Sequence, residues 1–499
     1  MTNSNQKKTN YRWVICAMLF FATTINYMDR QVLSLTWKDF IAPEFHWDDN
    51  HYGTIAAIFS LVYAFSMLFA GRFIDWLGTK KGFLWAIFIW SVGACLHAFC
   101  GIATIWWVGA ENLGALKAID DVKIIATIIN VSVGLMIFSR VVLAIGQAGN
   151  FPAAVKATAE FFPKKERSLA TSIFNFGSSA GALIAPVTIP ILAVKYGWNM
   201  AFIIIGALGF VWMGFWVFIY KKPEEHPKIN KMELEHILQD KEDMVTEGKT
   251  EKKLSWGQCF KFKQTWSFAV GKFMSDGVWW FLLFWVPAYL SDVYGLKSSD
   301  PQAQIAIFII YTITLLSLIG GWLPTYFINK KGMDPYAGRM RSMLIFAFIP
   351  LIVLLAQPLG AYSYWYPVII IGIAAAAHQS WSANIFTTVS DMVPKSAVAT
   401  VVGIGGMAGG IGSFIINKGS GKLFVYASGT TMFNGKEVEM TKDLLAQGAE
   451  FVRGPMTFMG FEGKPAGYFI IFCICAFAYL IGWSIMKLLV PKYKIITVA

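Results

Sequence analysis

Apolar stretches of membrane-spanning length, separated by short polar breaks, run from one end of this chain to the other. A membrane-crossing helix needs about 20 predominantly apolar residues. Stretches near 12–36, 51–74, 82–102, 126–154, 167–195, 198–220, 266–291, 303–328, 340–357, 364–390, 397–417 and 467–490 meet that requirement, roughly twelve in all. The longest polar interruption, Lys221 to Gln264, falls in the middle, contains Pro223 and Pro227, and predicts an amphipathic helix around Lys231 to Met244. The chain therefore reads as an all-α polytopic membrane protein. A six-helix bundle is expected over 1–220, a central loop over 221–265 and a second six-helix bundle over 266–499. Two such halves are the plan of a transporter built from pseudo-repeated bundles. Polar insertions at 103–125 and 418–466 interrupt the plan, and the second predicts a hairpin around Phe433-Asn434-Gly435-Lys436.

Composition sharpens this reading. The 499 residues are 56% hydrophobic and 14% charged, against about 25% charged in soluble domains, which excludes an ordinary soluble enzyme. Residues 1–10 are polar and carry Lys7 and Lys8, so they read as a tail before an uncleaved first span. The net charge of +12 does not point to nucleic acid, because the basic residues occupy particular loops. With the N-terminus inside, the inner loops hold Arg72, Lys80 and Lys81, then Lys164, Lys165 and Arg167, then Lys330, Lys331, Arg339 and Arg341, then Lys395, and last Lys492 and Lys494. The first outer loop holds Asp39, Glu44, Asp48 and Asp49 against Lys38. The positive-inside rule then places both termini in the cytoplasm. Most of the six cysteines (Cys16, Cys95, Cys100, Cys259, Cys473 and Cys475) lie in apolar segments and read as buried thiols. There is no Walker loop, GxSxG, HExxH or paired CxxC, so no enzyme, cofactor, metal site or ATP drive is expected.

The polar residues inside the spans carry the candidate chemistry. Asn26-Tyr27-Met28-Asp29-Arg30 interrupts the first apolar stretch. Charged side chains at membrane depth cost on the order of 2.5–3.5 kcal/mol each, and such residues face a protein interior or a water-filled cavity. A binding or proton-relay site is one reading; a snorkelling pair near a helix end is the other. Arg140 sits in the middle of the fourth span with Gln147 seven residues on, two turns along the same face. A guanidinium there suits a carboxylate ligand, or pairs structurally with Asp29. Asn175 lies in a stretch of small residues that serves helix packing, or reaches a substrate hydroxyl. Lys272 and Asp276, four apart in the seventh span, read equally as an intrahelical ion pair and as substrate contacts. His378, Gln379, Trp381 and Asn384 in the tenth span suggest a cavity wall, with the amides of Gln379 and Asn384 for hydroxyls and the Trp381 indole for a sugar ring, while a lone His378 reads more readily as a satisfied packing residue.

A last motif concerns movement. Gly71-Arg72-Phe73-Ile74-Asp75-Trp76-Leu77-Gly78-Thr79-Lys80-Lys81 follows the second span. Its glycines suit close helix approach and a turn, and Asp75 suits a basic partner or a helix N-terminus on a neighbouring helix. A degenerate echo, Gly321-Trp322-Leu323 through Asn329-Lys330-Lys331-Gly332, stands at the corresponding place in the second half. Gly71, Asp75, Gly78, Lys80 and Lys81 are therefore expected to act as a latch between conformations.

These motifs resemble the major facilitator superfamily, and within it the anion:cation symporters. Tyr27-Met28-Asp29-Arg30, Gly78-Thr79-Lys80-Lys81-Gly82 and Phe161-Phe162-Pro163-Lys164-Lys165-Glu166-Arg167-Ser168 carry the resemblance. Phe174-Asn175-Phe176-Gly177-Ser178-Ser179 and the stretch from His378-Gln379 to Val398-Ala399-Thr400-Val401-Val402-Gly403 look like bacterial hexuronate (glucuronate and galacturonate) transporters. The resemblance implies a monomeric importer in the bacterial inner membrane that moves a sugar acid with a proton by alternating access. It further implies that Arg30 and Arg140 hold the substrate carboxylate, Tyr27 and Tyr63 line the site, and Asp29 takes the proton. One departure stands out: the family often has a glutamate where this chain has Gln147, which cannot titrate. The alternatives are another organic anion (an aldonate, a sialic-acid-like sugar or an aromatic carboxylate), a different coupling ion, or a membrane sensor that does not transport.

Overall fold

The computed structural model describes residues 8–239, 256–393, 395–433, 436–440 and 450–493. Its scaffold is twelve long helices. They are α1 (Arg12–Thr36), α2 (Asp49–Leu77), α3 (Thr79–Val108), α4 (Val122–Phe161), α5 (Lys164–Tyr196) and α6 (Trp198–Ile219) in the first half. The second half contains α7 (Lys263–Tyr294), α8 (Pro301–Lys331), α9 (Pro335–Gly360), α10 (Trp365–Met392), α11 (Lys395–Ser428) and α12 (Lys464–Leu489). Eleven of them are long and apolar enough to cross a membrane. The exception is α1, whose polar run from Asn26 to Gln31 lowers its hydropathy although most of the helix is buried.

Local chemistry sets the helix ends. The Asp48 carboxylate accepts from the His51 N–H while the His51 ring accepts from the Asp48 N–H, a reciprocal cap that starts α2. Gly78 ends α2 at φ 77°, a conformation costly for any residue with a Cβ, and α3 starts on the next residue. Gly332 (φ 64°) stands at the matching turn between α8 and α9. Asp121 caps α4 by accepting from the N–H groups of Lys123 and Ile124. Helix α4 pauses after Gln147 and restarts at Asn150. Pro152 lies just beyond the pause and offers no N–H to carry the hydrogen-bond ladder across it.

Two sequence expectations change. The 103–125 insertion is smaller than its polar residues suggest: Ile105-Trp106-Trp107 continue α3 to Val108, a short helix covers Leu113–Lys117, and α4 starts at Val122. The 418–466 insertion begins later, because α11 continues to Ser428. The expected hairpin is present: β1 (Thr430–Phe433) pairs antiparallel with β2 (Lys436–Glu439), while β3 (Glu450–Arg453) adds to the other edge of β1. Its link, Asn434-Gly435, lies outside the described residues. A two-stranded ribbon, β4 (Thr457–Phe458) with β5 (Phe461–Glu462), leads into α12. The central-loop helix covers Lys231–Leu238, and the rest of its predicted span to Met244 lies outside the described residues.

Two charged clasps frame the bundle. On the face that carries the termini, Arg12 bonds Glu166 at 2.8 Å and Glu233 at 3.1 Å, and His236 adds a 2.9 Å contact to Glu166. The central-loop helix is thereby docked on the first half. The carboxyls of Glu166 and Glu233 lie below the usual range. Burial alone would push them up, but hydrogen bonds outweigh it, from Arg12 and His236 to Glu166 and from Thr9 and two backbone N–H groups to Glu233. On the far face the two halves meet. Lys38, just past α1, reaches Asp49 on α2 (3.0 Å) and Asp292 on α7 (2.9 Å). Lys464 at the start of α12 reaches Asp49 (2.5 Å) and Glu439 on β2 (2.8 Å). Asp39 accepts from Ser291 Oγ and from the Ser298 N–H. Below this cluster the Tyr52 hydroxyl donates to the Phe284 carbonyl, and Trp37 stacks flat on Tyr52. These contacts close the far side of the bundle above its centre.

Candidate functional site

The polar run on α1 places its side chains at the centre of the bundle. On α5, Gly181 lies against the Thr24 carbonyl and Tyr27. A Cβ added to Gly181 would stand 3.0 Å from that of Tyr27, so only a glycine lets α5 back this closely onto the run. Asn26, Asp29 and Arg30 are all buried. Arg30 Nε donates to Gln147 Oε1 on α4 (3.2 Å), and Gln147 Nε2 donates back to the Asn26 carbonyl (3.1 Å). The Gln147 amide thus supplies both an acceptor and a donor, which locks the two helices where α4 pauses.

Aromatic rings surround the Arg30 guanidinium. It lies 4.6 Å from the Tyr63 ring, 4.9 Å from Tyr27 and 4.9 Å from Trp280 on α7, with Phe59 at 5.8 Å. Cation–π contacts of this kind are worth about 2 kcal/mol or more when desolvated, and they hold the cation without neutralising it. Arg140 lies beside Arg30, donates weakly to the Arg30 carbonyl at 3.5 Å and sits 5.2 Å from the Phe59 ring. Asp29, 1% exposed, has no hydrogen-bond partner on either oxygen, and no ion pair joins it to Arg30 or Arg140. The purely structural Asp29–Arg140 pair is therefore absent. Among the described residues, the centre holds two guanidinium groups with no acid bonded to either.

The other predicted residues fall in several places. Trp381 is fully buried, packs edge-on against Tyr479 and leaves its indole N–H without a partner. Asn384 uses its amide N–H groups on the carbonyls of Gly320 and Ser380, joining α10 to α8. Gln379 is half-buried and Asn175 is exposed, and neither side chain makes a hydrogen bond among the described residues. His378 stacks on Trp279 and meets the Tyr479 hydroxyl at 2.8 Å. In the latch motif Asp75 pairs with Lys156 on α4 (2.8 Å), and Lys80 donates to the Val217 carbonyl on α6. Gly78 forms the tight turn, but Gly71 has no atom within 4 Å of a Cβ position, so it does not serve close helix approach in this conformation. Lys81 lines a shallow apolar depression of about 220 Å³ with Leu84, Trp85, Phe88 and Met213, away from the centre.

Sequence reasoning missed Phe59 as a wall of the site and left Trp280 without a role. Nothing in the local pattern marks Phe59, because its place depends on how α2 packs against α7. Trp280 had a signal: it lies one turn beyond Asp276 on the polar stripe of α7.

Comparison with known proteins identifies the family and the fold. The Major Facilitator Superfamily model matches residues 19–416. The "Hexuronate transporter" of Escherichia coli (strain K12) is 29% identical over 413 residues, 82% of this chain and 86% of that protein. The "Galacturonate transporter" of Dickeya chrysanthemi is 27% identical over 316 residues, 63% of this chain and 82% of that protein. The "Probable galactarate/D-glucarate transporter GudP" of E. coli (strain K12) is 27% identical over 303 residues, 59% of this chain and 62% of that protein. Among solved structures, a bacterial homologue of the human lysosomal transporter Spinster, inward-facing and occupied, aligns with a TM-score of 0.62 at 18% identity, covering 97% of both chains. The inward-open xylose transporter XylE of E. coli aligns at 0.62 with 14% identity, covering 95% of this chain and 96% of that one. A family match over most of its length, carried by a bundle of twelve long helices among the described residues, establishes that the chain belongs to the major facilitator superfamily, as a membrane transporter and not an enzyme.

Proposed function

We propose that this protein is a secondary active importer of a hexuronate, galacturonate or glucuronate, moved together with a proton by alternating access. The observation that carries the reading is the pair of buried guanidiniums, Arg30 and Arg140, with no acid bonded to either. A buried unpaired cation is costly, and a ligand carboxylate supplies the missing charge through two parallel N–H···O bonds. Tyr27, Tyr63 and Trp280 offer ring faces to the pyranose. The names of the E. coli and Dickeya relatives support the same substrates.

Asp29 is the proton site in this reading. It shares the centre with both arginines, and neither of its oxygens is held by another group. A substrate carboxylate offsets the arginine charge that favours ionised Asp29, so substrate and proton each assist the other's binding. Gln147 cannot titrate and serves as the amide that positions Arg30. With the far face closed, release is toward the face that carries the termini, which the distribution of Lys and Arg makes cytoplasmic. Gly71, Asp75, Gly78, Lys80 and Lys81 then act at that face as the halves rock, and Asn175, Gln379, Trp381 and Asn384 meet the sugar during the cycle. The protein works as a monomer in the bacterial inner membrane.

Uptake into proteoliposomes tests this. Labelled galacturonate or glucuronate should accumulate under an inward proton gradient and stop accumulating with a protonophore. Equilibration that ignores the gradient would keep the substrate and remove the proton. No uptake of either acid by folded protein would remove hexuronates altogether.

A further inference from the structure

One buried charged pair remains without a role. Lys272 Nζ donates to Asp276 Oδ1 at 2.7 Å on α7, with side chains only 8% and 15% exposed. The pair faces the site. Lys272, Asp276 and Trp280 recur every four residues and share one stripe of α7, and Trp280 lies 4.9 Å from the Arg30 guanidinium. Asp276 is one turn along that stripe, about 6 Å along the axis, and near enough to Tyr27 for the two to act on each other electrostatically. Tyr27 itself lies against Arg30. Opposite Asp276, α11 presents Gly409, where any Cβ would strike the carboxylate, and its neighbour Gly410 packs on Ala64 of α2. The pair therefore stands where the two halves meet around the centre. The Lys272 ammonium also lies 4.6 Å from the Phe386 ring, and its one hydrogen bond leaves two N–H donors.

We propose that the Lys272–Asp276 pair receives the hydroxyl-bearing end of the substrate, and that its balanced charge makes the site prefer a sugar acid with one carboxylate over one with two. This rests on the function proposed above. The arginines on α1 and α4 form a cationic end that needs one carboxylate. The α7 end offers spare ammonium donors and carboxylate acceptors side by side, the chemistry that binds neighbouring hydroxyls, while its net charge is zero. A second substrate carboxylate placed there meets Asp276 as well as Lys272 and gains little. Galacturonate fits this division; galactarate, with a carboxylate at each end, does not.

Equilibrium binding of labelled galacturonate to the purified full-length protein, displaced by unlabelled galacturonate or galactarate, tests the proposal. Galactarate should displace the label at least tenfold more weakly than galacturonate. Asp276→Asn leaves the ammonium unopposed and should narrow that gap at least fivefold, whereas Lys272→Gln leaves the carboxylate unopposed and should widen it. Structural damage would not move the ratio in opposite directions, so a monodisperse pair of variants that shifts it the same way, or not at all, overturns the proposal. Equal displacement by both acids in the unmodified protein also overturns it. Normal galacturonate binding with unshifted ratios removes only the role of the pair, while failure of both acids to bind removes the functional reading and the proposal with it.

Discussion

At the far face, Lys464 meets Asp49 and Glu439 directly and Asp292 at 3.6 Å, and Lys38 bonds two of the same carboxylates. At the centre, Asp29 meets no donor and Arg30 meets two neutral amides, of Gln147 and Asn26, and four aromatic rings. Both regions bury charge, but only the first satisfies it within the chain. A satisfied cluster is a lock, since breaking it strands partly buried charges. In the function proposed above the unsatisfied one is where the ligand binds, because its missing partners must come from outside. The contrast also separates the halves. Lys38 and Asp49 belong to the first and Asp292, Lys464 and Glu439 to the second, so the lock joins them, whereas the central cations without an acid partner, Arg30 and Arg140, sit on α1 and α4.

Removing a central guanidinium should have the largest effect. Arg30→Met is expected to weaken galacturonate binding by about 2–5 kcal/mol, the cost of losing one member of a buried charged pair, with direct binding as the readout. Arg30→Lys should fall well short of rescue, because an ammonium lacks the two-pronged fork. If the lysine variant binds normally, the bidentate contact is wrong.

Asp29→Asn comes next. It should abolish accumulation driven by a proton gradient while leaving counterflow exchange of labelled substrate intact. Loss of exchange and binding together would make Asp29 a substrate ligand instead of a proton carrier.

At the far face, Lys464→Met leaves Lys38 alone against Asp49 and Asp292 and should weaken closure by about 1–3 kcal/mol. Spin labels at Glu111→Cys and Lys297→Cys, on a cysteine-free background, should report a wider and broader distance distribution. An unchanged distribution would show that the apolar stack of Trp37, Tyr52 and Trp285 holds this face without the charges.

The smallest effect belongs to the clasp on the termini face. Folding holds Glu166 and Glu233 below the usual carboxylate range. Their contribution is therefore complete above the ordinary glutamate value of about 4.3 and declines as pH falls through the lower folded values. Protease cleavage of the central loop should accelerate only in that acid range, and Glu233→Gln should remove part of the dependence. Glu166 is partly solvated, which screens its share and keeps the change modest.

The twelve helices were legible because a bilayer demands about 20 apolar residues per crossing, a constraint written in one dimension. The first and last predicted spans end within a few residues of α1 and α12. The two misjudged ends differ in cause: Ile105-Trp106-Trp107-Val108 is itself apolar and extends the predicted span, whereas α11 runs on to Ser428 through the polar Lys418-Gly419-Ser420-Gly421-Lys422, where hydropathy carries no signal. Asp29, Arg30 and Arg140 stood out for the same reason: charge in an apolar run is conspicuous wherever the helix packs.

What the chain alone determined is therefore the class of molecule, the number of spans and the identity of the charges that interrupt them, since each depends on the cost of moving a residue from water into an apolar phase. Only the tertiary structure decided which charges meet. The Gln147 amide bridges 117 residues to Arg30, Lys464 crosses 415 residues to Asp49, and Asp29 is left with no partner. These pairings depend on the rotation and depth of each helix against its neighbours, which side-chain packing sets and hydropathy does not record.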